Sequence, residues 1–223
     1  MSNAAIIVAA GRGRRMGFDK LLAPLCGKPV LQWSLDAFAE APSIDCIVIV
    51  SPAHRFEQLD LGISKEVIRA EGDRERFLSV MRGLDAVPGK PAYVAVHDGA
   101  RPLIRPSQIE ECLKAARDHG GAALARRVTE TLKRADDQLF TRQTVSREEL
   151  WIMETPQAFR FKMLRRAYAV AESRRLLVTD DVSAAEVVGV ASKLIENPYP
   201  NIKITVPRDL AVVEALMGRC ARS

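Results

Sequence analysis

Residues 8 to 22 read VAAGRGRRMGFDKLL, three glycines, three arginines and a lysine directly behind an apolar run. Glycine lets backbone N–H groups come close to phosphate oxygens, and Arg12, Arg14, Arg15 and Lys20 supply positive charge, so the segment suits a polyphosphate. Two familiar phosphate loops do not fit. Gly11, Gly13 and Gly17 are spaced one residue too far for G-x-G-x-x-G, and the second apolar run ends in Ser51-Pro52 with no acid to hold a ribose. Gly27-Lys28 and Gly89-Lys90 are each followed by proline, where a Walker A loop needs Ser or Thr. A glycine turn with solvated arginines is the plain alternative.

A second candidate is VHDGARP, residues 96 to 102. Asp98 there could hold a Mg2+ ion or a ribose hydroxyl, and Arg101 could reach a phosphate; the bland reading is an Asp-Gly turn with an exposed arginine. TPQAF (155 to 159), VTDDVSAAE (178 to 186) and NIKIT (201 to 205) each set a threonine or lysine beside a strand or helix end. Singly these also fit a helix cap or a solvated edge lysine. His54, His97 and His119 have no triad arrangement, and the four cysteines lack ligand spacing for zinc.

The elements that must carry these residues are legible as buried strands and amphipathic helices. AAIIVAA (4 to 10), CIVIVS (46 to 51), AYVAVHD (92 to 98) and GAALA (121 to 125) are continuous apolar runs. Helices are expected from Pro29 with Leu31, Leu35 and Phe38 inward, through Phe77, Val80, Met81, Leu84 and Val87, and after Ser107 to Gly120. Alternation of the two predicts an α/β fold with a mostly parallel sheet, whose ligands bind at the carboxyl ends of its strands. Residues 126 to 151 alternate around a turn-like ADDQ and read as a hairpin arm. Beyond it, helices are predicted over 162–175 and 181–188, a strand over NIKITV (201 to 206), and a last helix opened by Pro207.

Net charge is +5, which could suit nucleic acid although three Tyr, two Trp and seven Phe leave few rings for base stacking; a basic enzyme for phosphorylated small molecules fits equally well, and a plain solubilising surface is the bland alternative. The basic residues also gather at predicted strand ends and not along one face. Apolar runs of seven or eight residues are far shorter than the ~20 needed to span a bilayer, and the arginines follow the first run where a secretory signal has them before it. The expectation is a cytoplasmic protein, bound neither to membrane nor to nucleic acid.

In this order, VAAGRGRRMG with its following lysine, HDGARP, TPQAF, TDD and NIKIT resemble the motifs of the 2-C-methyl-D-erythritol 4-phosphate cytidylyltransferases of the non-mevalonate isoprenoid pathway, from one end of the chain to the other. The resemblance implies a Rossmann-like nucleotide-diphospho-sugar-transferase fold, with residues 1–223 as a single domain and the arm at about 126–154 as a protruding dimerisation hairpin. It further implies CTP and a polyol phosphate as substrates, Mg2+ or another divalent cation, and a homodimer in which each arm helps build its partner's site.

Carried across by motif, Ala9, Ala10, Gly11 and Gly13 line the CTP site, and Arg15 and Lys20 stabilise charge on the α-phosphate. Ser79 and the backbone around Asp73 and Arg74 recognise cytosine. Asp98, also an indirect metal ligand, and Arg101 stand between nucleotide and acceptor. Thr155, Thr179 and Lys203 lie near the acceptor, and Thr131 and Arg147 reach over from the neighbouring subunit.

The chain departs from the family where only GFD separates Met16 from Lys20 and where the base-recognition stretch reads EGDRERFLS, with Phe77 and Leu78 at usually polar positions. GFDKLL also resembles molybdenum-cofactor guanylyltransferases, which lack the later motifs. A sister cytidylyltransferase acting on ribitol 5-phosphate shares the layout, although AAG and HDGARP favour the methylerythritol enzyme.

Overall fold

The computed structural model describes residues 2–11 and 17–220, without the side chains of 219 and 220. The elements in order are β1 (Asn3–Val8), β2 (Pro24–Leu25), β3 (Lys28–Pro29), α1 (Val30–Glu40), β4 (Cys46–Val50), α2 (Ala53–Phe56), β5 (Glu66–Ala70), α3 (Arg76–Ala86) and β6 (Tyr93–Asp98). They continue with α4 (Pro106–His119), β7 (Gly121–Arg127), β8 (Leu132–Ala135), β9 (Thr141–Val145), β10 (Trp151–Arg160), α5 (Phe161–Ser173), α6 (Asp181–Val187), β11 (Lys193–Glu196) and α7 (Pro207–Cys220).

Seven strands form one sheet in the order β11-β7-β10-β6-β1-β4-β5, and in it only β10 runs against the others. The central strands are apolar at nearly every position because both faces are covered. Their residues divide by the period of two: Ala5, Ile7, Ile47 and Ile49 pack with α1 and α4, while Ala4, Ile6, Val48 and Val50 pack with α3, α5 and α6. Leu31, Leu35 and Phe38 are fully buried, as their helical spacing requires. Gly120 ends α4 at φ +90°, its N–H donating to Ala116 O at 2.8 Å, a left-handed cap that glycine adopts without strain.

Two expectations need correction. Residues 201–206 form no strand: the N–H groups of Thr205 and Val206 donate to the Asp209 carboxylate at 2.8 and 2.9 Å, which consumes donors a ladder needs. The edge strand is β11 instead, parallel to β7. The hairpin is also shorter than 126–154, since Arg126, Arg127 and Trp151 to Glu154 belong to the main-sheet strands β7 and β10, leaving β8 and β9 as an exposed antiparallel pair.

Two features bring the motifs together. In the parallel register Val8 pairs with Asp98, so the first loop and the HDGARP segment leave the sheet side by side. The antiparallel β10 then carries Thr155 back to the same edge, where its hydroxyl accepts the Asp98 N–H at 3.1 Å.

Candidate active site at the carboxyl ends of the central strands

Asp98 closes β6 and is 7 % exposed. Its Oδ1 accepts from Arg76 Nε at 3.0 Å and its Oδ2 from Lys203 Nζ at 2.7 Å, while Arg101 Nε stands 3.9 Å from Oδ2. Burial pushes the Asp98 carboxyl up, but Arg76, Lys203 and Arg101 outweigh it and hold the group well below the ordinary carboxylate range. The result is a fixed anion ringed by cations that together exceed its charge.

Arg76 is tied at its other end. Its Nη2 donates to Asp181 Oδ2 at 2.8 Å, and the fully buried Asp181 takes the Tyr168 hydroxyl on Oδ1 at 2.6 Å. Burial opposes the Arg76 charge, yet Asp181 and Asp98 raise its pKa well above the ordinary value. Gln157 extends the network: its Oε1 accepts the N–H groups of Asp181 and Val182 at 2.9 and 3.0 Å, and its Nε2 donates to Asp180 at 2.9 Å.

Two cavities meet at this hub. One, of about 350 Å³, is lined by Ala9, Gly11, Lys20, Asp73, Arg74 and Ser79 together with Arg76, Asp98 and Lys203. Lys20 Nζ donates to Ile204 O at 2.6 Å, which holds it beside Lys203. Ser79 Oγ accepts the Asp73 N–H at 3.0 Å, so the serine fixes the turn before α3. That turn packs on the first loop through Gly72, where an added Cβ would lie 2.1 Å from Ala10 Cβ; no side chain fits there. The unusual Phe77 does not line the cavity and stacks on Tyr168 at 5.9 Å between ring centroids.

The other cavity, of about 470 Å³, is lined by Arg101, Glu154, Thr155, Thr179, Asp180 and Ser183 and shares Arg76, Asp98 and Lys203 with the first. Arg101 Nη1 donates to Asn201 O at 2.7 Å, and its Nε is a buried donor without a hydrogen-bond partner. Beneath Arg101 lies His97, fully buried, its pKa lowered to about 3 by that burial and so neutral. Thr155 Oγ1 accepts from Asp98 N–H and thus turns its own proton to His97 Nδ1 at 3.0 Å, leaving His97 Nε2–H to donate to Arg101 O at 3.2 Å. His97 is a structural strut.

The sequence candidates Ala9, Gly11, Lys20, Asp73, Arg74, Ser79, Asp98, Arg101, Thr155, Thr179 and Lys203 therefore come together around the two cavities, with Ala10 packed against Gly72 beside the first. Gly13 and Arg15 lie outside the described residues. Thr131 and Arg147 are on the arm, where Arg147 donates to Thr129 O, and line neither cavity.

The model of the family described as 2-C-methyl-D-erythritol 4-phosphate cytidylyltransferase matches residues 3–219. The chain belongs to this family. Among cytidylyltransferases of that name, the one from Prochlorococcus marinus (strain MIT 9313) is 42% identical over 218 residues, covering 96% of this chain and 97% of its own. The one from Geobacillus kaustophilus (strain HTA426) is 41% identical over 225 residues, covering 98% of each. Crystal structures of the 2-C-methyl-D-erythritol 4-phosphate cytidylyltransferases from Thermus thermophilus and Francisella tularensis superpose with TM-scores of 0.82 and 0.84 at 30% and 29% identity. They cover 97% and 96% of this chain, and 98% and 99% of their own.

Against this cytidylyltransferase background, Arg76 and Asp181 are the site groups that sequence reasoning missed. Arg76 sat inside the atypical EGDRERFLS, and Asp181 is the second acid of TDD, where only the threonine drew notice. A carboxylate at the first turn of a helix reads as a cap or a dipole partner; its ion pair with a residue 105 positions away has no local signature.

Proposed function

We propose that the chain transfers the cytidylyl group of CTP to the phosphate of 2-C-methyl-D-erythritol 4-phosphate, releasing pyrophosphate, in isoprenoid precursor synthesis. The observation that carries the reading is the shared wall: Arg76, Asp98 and Lys203 line both cavities, so two anions bound in them meet across one set of charges. CTP occupies the cavity of Lys20, Ser79 and the first loop, and the polyol phosphate that of Arg101, Thr155 and Thr179.

An oxygen of the acceptor phosphate attacks the α-phosphorus, the bond to the bridging oxygen breaks, and pyrophosphate leaves with the electron pair. A phosphate monoester already ionised near neutral pH needs no general base, and buried His97, with both ring nitrogens engaged by Thr155 and Arg101, offers none. Lys203 and Lys20 stabilise the charge that develops on the α-phosphate, joined by Arg15 on sequence grounds. Asp98 holds Lys203 and Arg76 in place and keeps two bound anions from over-occupying the same cations.

Among the described residues no cluster of three His, Cys, Asp or Glu could hold a metal by itself. A divalent cation would instead arrive on the triphosphate, and Asp98, its oxygens already engaged by Arg76 and Lys203, would face it indirectly. When bound, such an ion neutralises phosphate charge and adds Lewis acidity. The exposed Leu139 and Phe140 at the hairpin tip support dimerisation through the arm, in which Thr131 and Arg147 would reach a partner's acceptor cavity. Among the described residues no helix is long and apolar enough to cross a membrane, in keeping with a cytoplasmic enzyme.

Mass spectrometry of the products formed from CTP, the methylerythritol phosphate and Mg2+ tests the reading. A single new species uniting CMP with the acceptor is expected; its absence contradicts the assignment.

A further inference from the structure

Arg55 lies on α2, is 5 % exposed and belongs to none of the sequence motifs. Its guanidinium holds both flanks of the first loop. Nη1 donates to Ala9 O and Nη2 to Gly11 O at 3.0 Å on one flank, and Nε donates to Asp19 Oδ2 at 2.7 Å on the other. Asp19 is itself built into the turn that follows: its Oδ1 accepts the Leu21 N–H at 3.1 Å and its carbonyl the Leu22 N–H at 3.2 Å. Burial pushes the Asp19 carboxyl up, but hydrogen bonding and charge from Arg55 outweigh it and leave the group below its ordinary value.

A guanidinium so buried is costly unless its donors are met, and here two backbone carbonyls and one carboxylate meet three of its five N–H groups, one on each nitrogen. Because Nε, Nη1 and Nη2 are all engaged within the protein, Arg55 is poorly suited to be a ligand for substrate. Its reach is structural and spans the one segment where Ala9, Gly11 and Lys20 converge on the same cavity. The carbonyl oxygens of Ala9 and Gly11, which would repel a triphosphate if they faced it, are bound to a cation instead.

We infer that Arg55 is a positioning residue for the nucleotide end of the site: by joining Ala9 and Gly11 to Asp19 it fixes the backbone from which Lys20 enters the cavity. The inference rests on reading that cavity as the CTP site. It predicts a defect confined to the nucleotide, because Arg55 and Asp19 line neither the acceptor cavity nor the wall the two cavities share.

The test is calorimetric titration of full-length wild type, Asp19→Asn and Arg55→Lys with CTP and Mg2+, alongside KM for the methylerythritol phosphate and melting temperature. Asp19→Asn keeps an acceptor for Leu21 and removes the charge; Arg55→Lys keeps the charge and removes the fork. Both are expected to bind CTP about ten-fold more weakly, with the acceptor KM within about two-fold of wild type. If Arg55→Lys does not fold, Asp19→Asn still carries the test, since Asp19 is at the partly exposed end of the pair. CTP affinity within two-fold of wild type, or an equal loss for both substrates with a lowered melting temperature, overturns the inference. Wild-type protein that binds no CTP overturns the reading of the cavity and the inference with it.

Discussion

Arg76 and Asp98 are joined by a 3.0 Å hydrogen bond that links helix α3, which carries Ser79, to the end of β6. The bond makes Arg76, together with Lys203 and Arg101, a determinant of the charge state of the carboxylate shared by both cavities. Replacing Arg76 with methionine removes the largest influence that lowers the Asp98 pKa while burial still raises it. The Asp98 pKa therefore rises toward the ordinary carboxylate range. Carbon NMR of the Asp98 carboxyl across pH, in wild type and variant, measures the rise, and an unchanged titration contradicts it.

Lys203 approaches Asp98 at 2.7 Å from a segment with no regular structure and faces both cavities. Lys203→Ala is expected to lower turnover by ~10²–10³-fold, the usual loss for one donor to a developing anion. Single-turnover rates at saturating CTP measure it.

His97 sets a pH dependence of stability. Its pKa falls from 6.5 unfolded to about 3 folded, so between those values the unfolded chain binds the extra proton. The stability it contributes is complete above 6.5 and is lost as pH falls toward about 3. Between pH 7 and pH 5 the wild type is expected to lose about 2 kcal/mol more unfolding free energy than His97→Asn does. Urea denaturation at the two pH values measures the difference, and equal losses contradict the neutral buried imidazole.

If the arms complete each other's sites, two inactive variants restore activity in one mixture. Arg147→Ala damages the site of a partner and Lys203→Ala its own. After subunit exchange, hybrid dimers hold one intact site, and an equal mixture is expected to regain about a quarter of wild-type activity. A mixture no more active than its parts contradicts the shared site.

The sheet centre was legible because β1, β4 and β6 are buried on both faces and so read as unbroken apolar runs. β5 and β11 were missed, being short edge strands whose exposed Glu66, Arg69, Lys193 and Glu196 dilute the pattern. β10 hid for another reason. Pro156 argues against an inner strand, and here it sits in the register shift between Met153 and Gln157, where the ladder is already broken. At the site, motifs that leave the carboxyl ends of strands were found, because topology alone brings those ends together. The clamps made by Arg76 and Arg55 were not, because an ion pair across 105 residues, or one from α2 to a loop, leaves no periodicity in sequence.

Pyrophosphate release from the purified protein with Mg2+ most directly tests the account, comparing CTP with GTP and 2-C-methyl-D-erythritol 4-phosphate with ribitol 5-phosphate. Release with CTP and the methylerythritol phosphate alone is the predicted result. Release that prefers ribitol phosphate, or GTP, or no release in any combination, contradicts it.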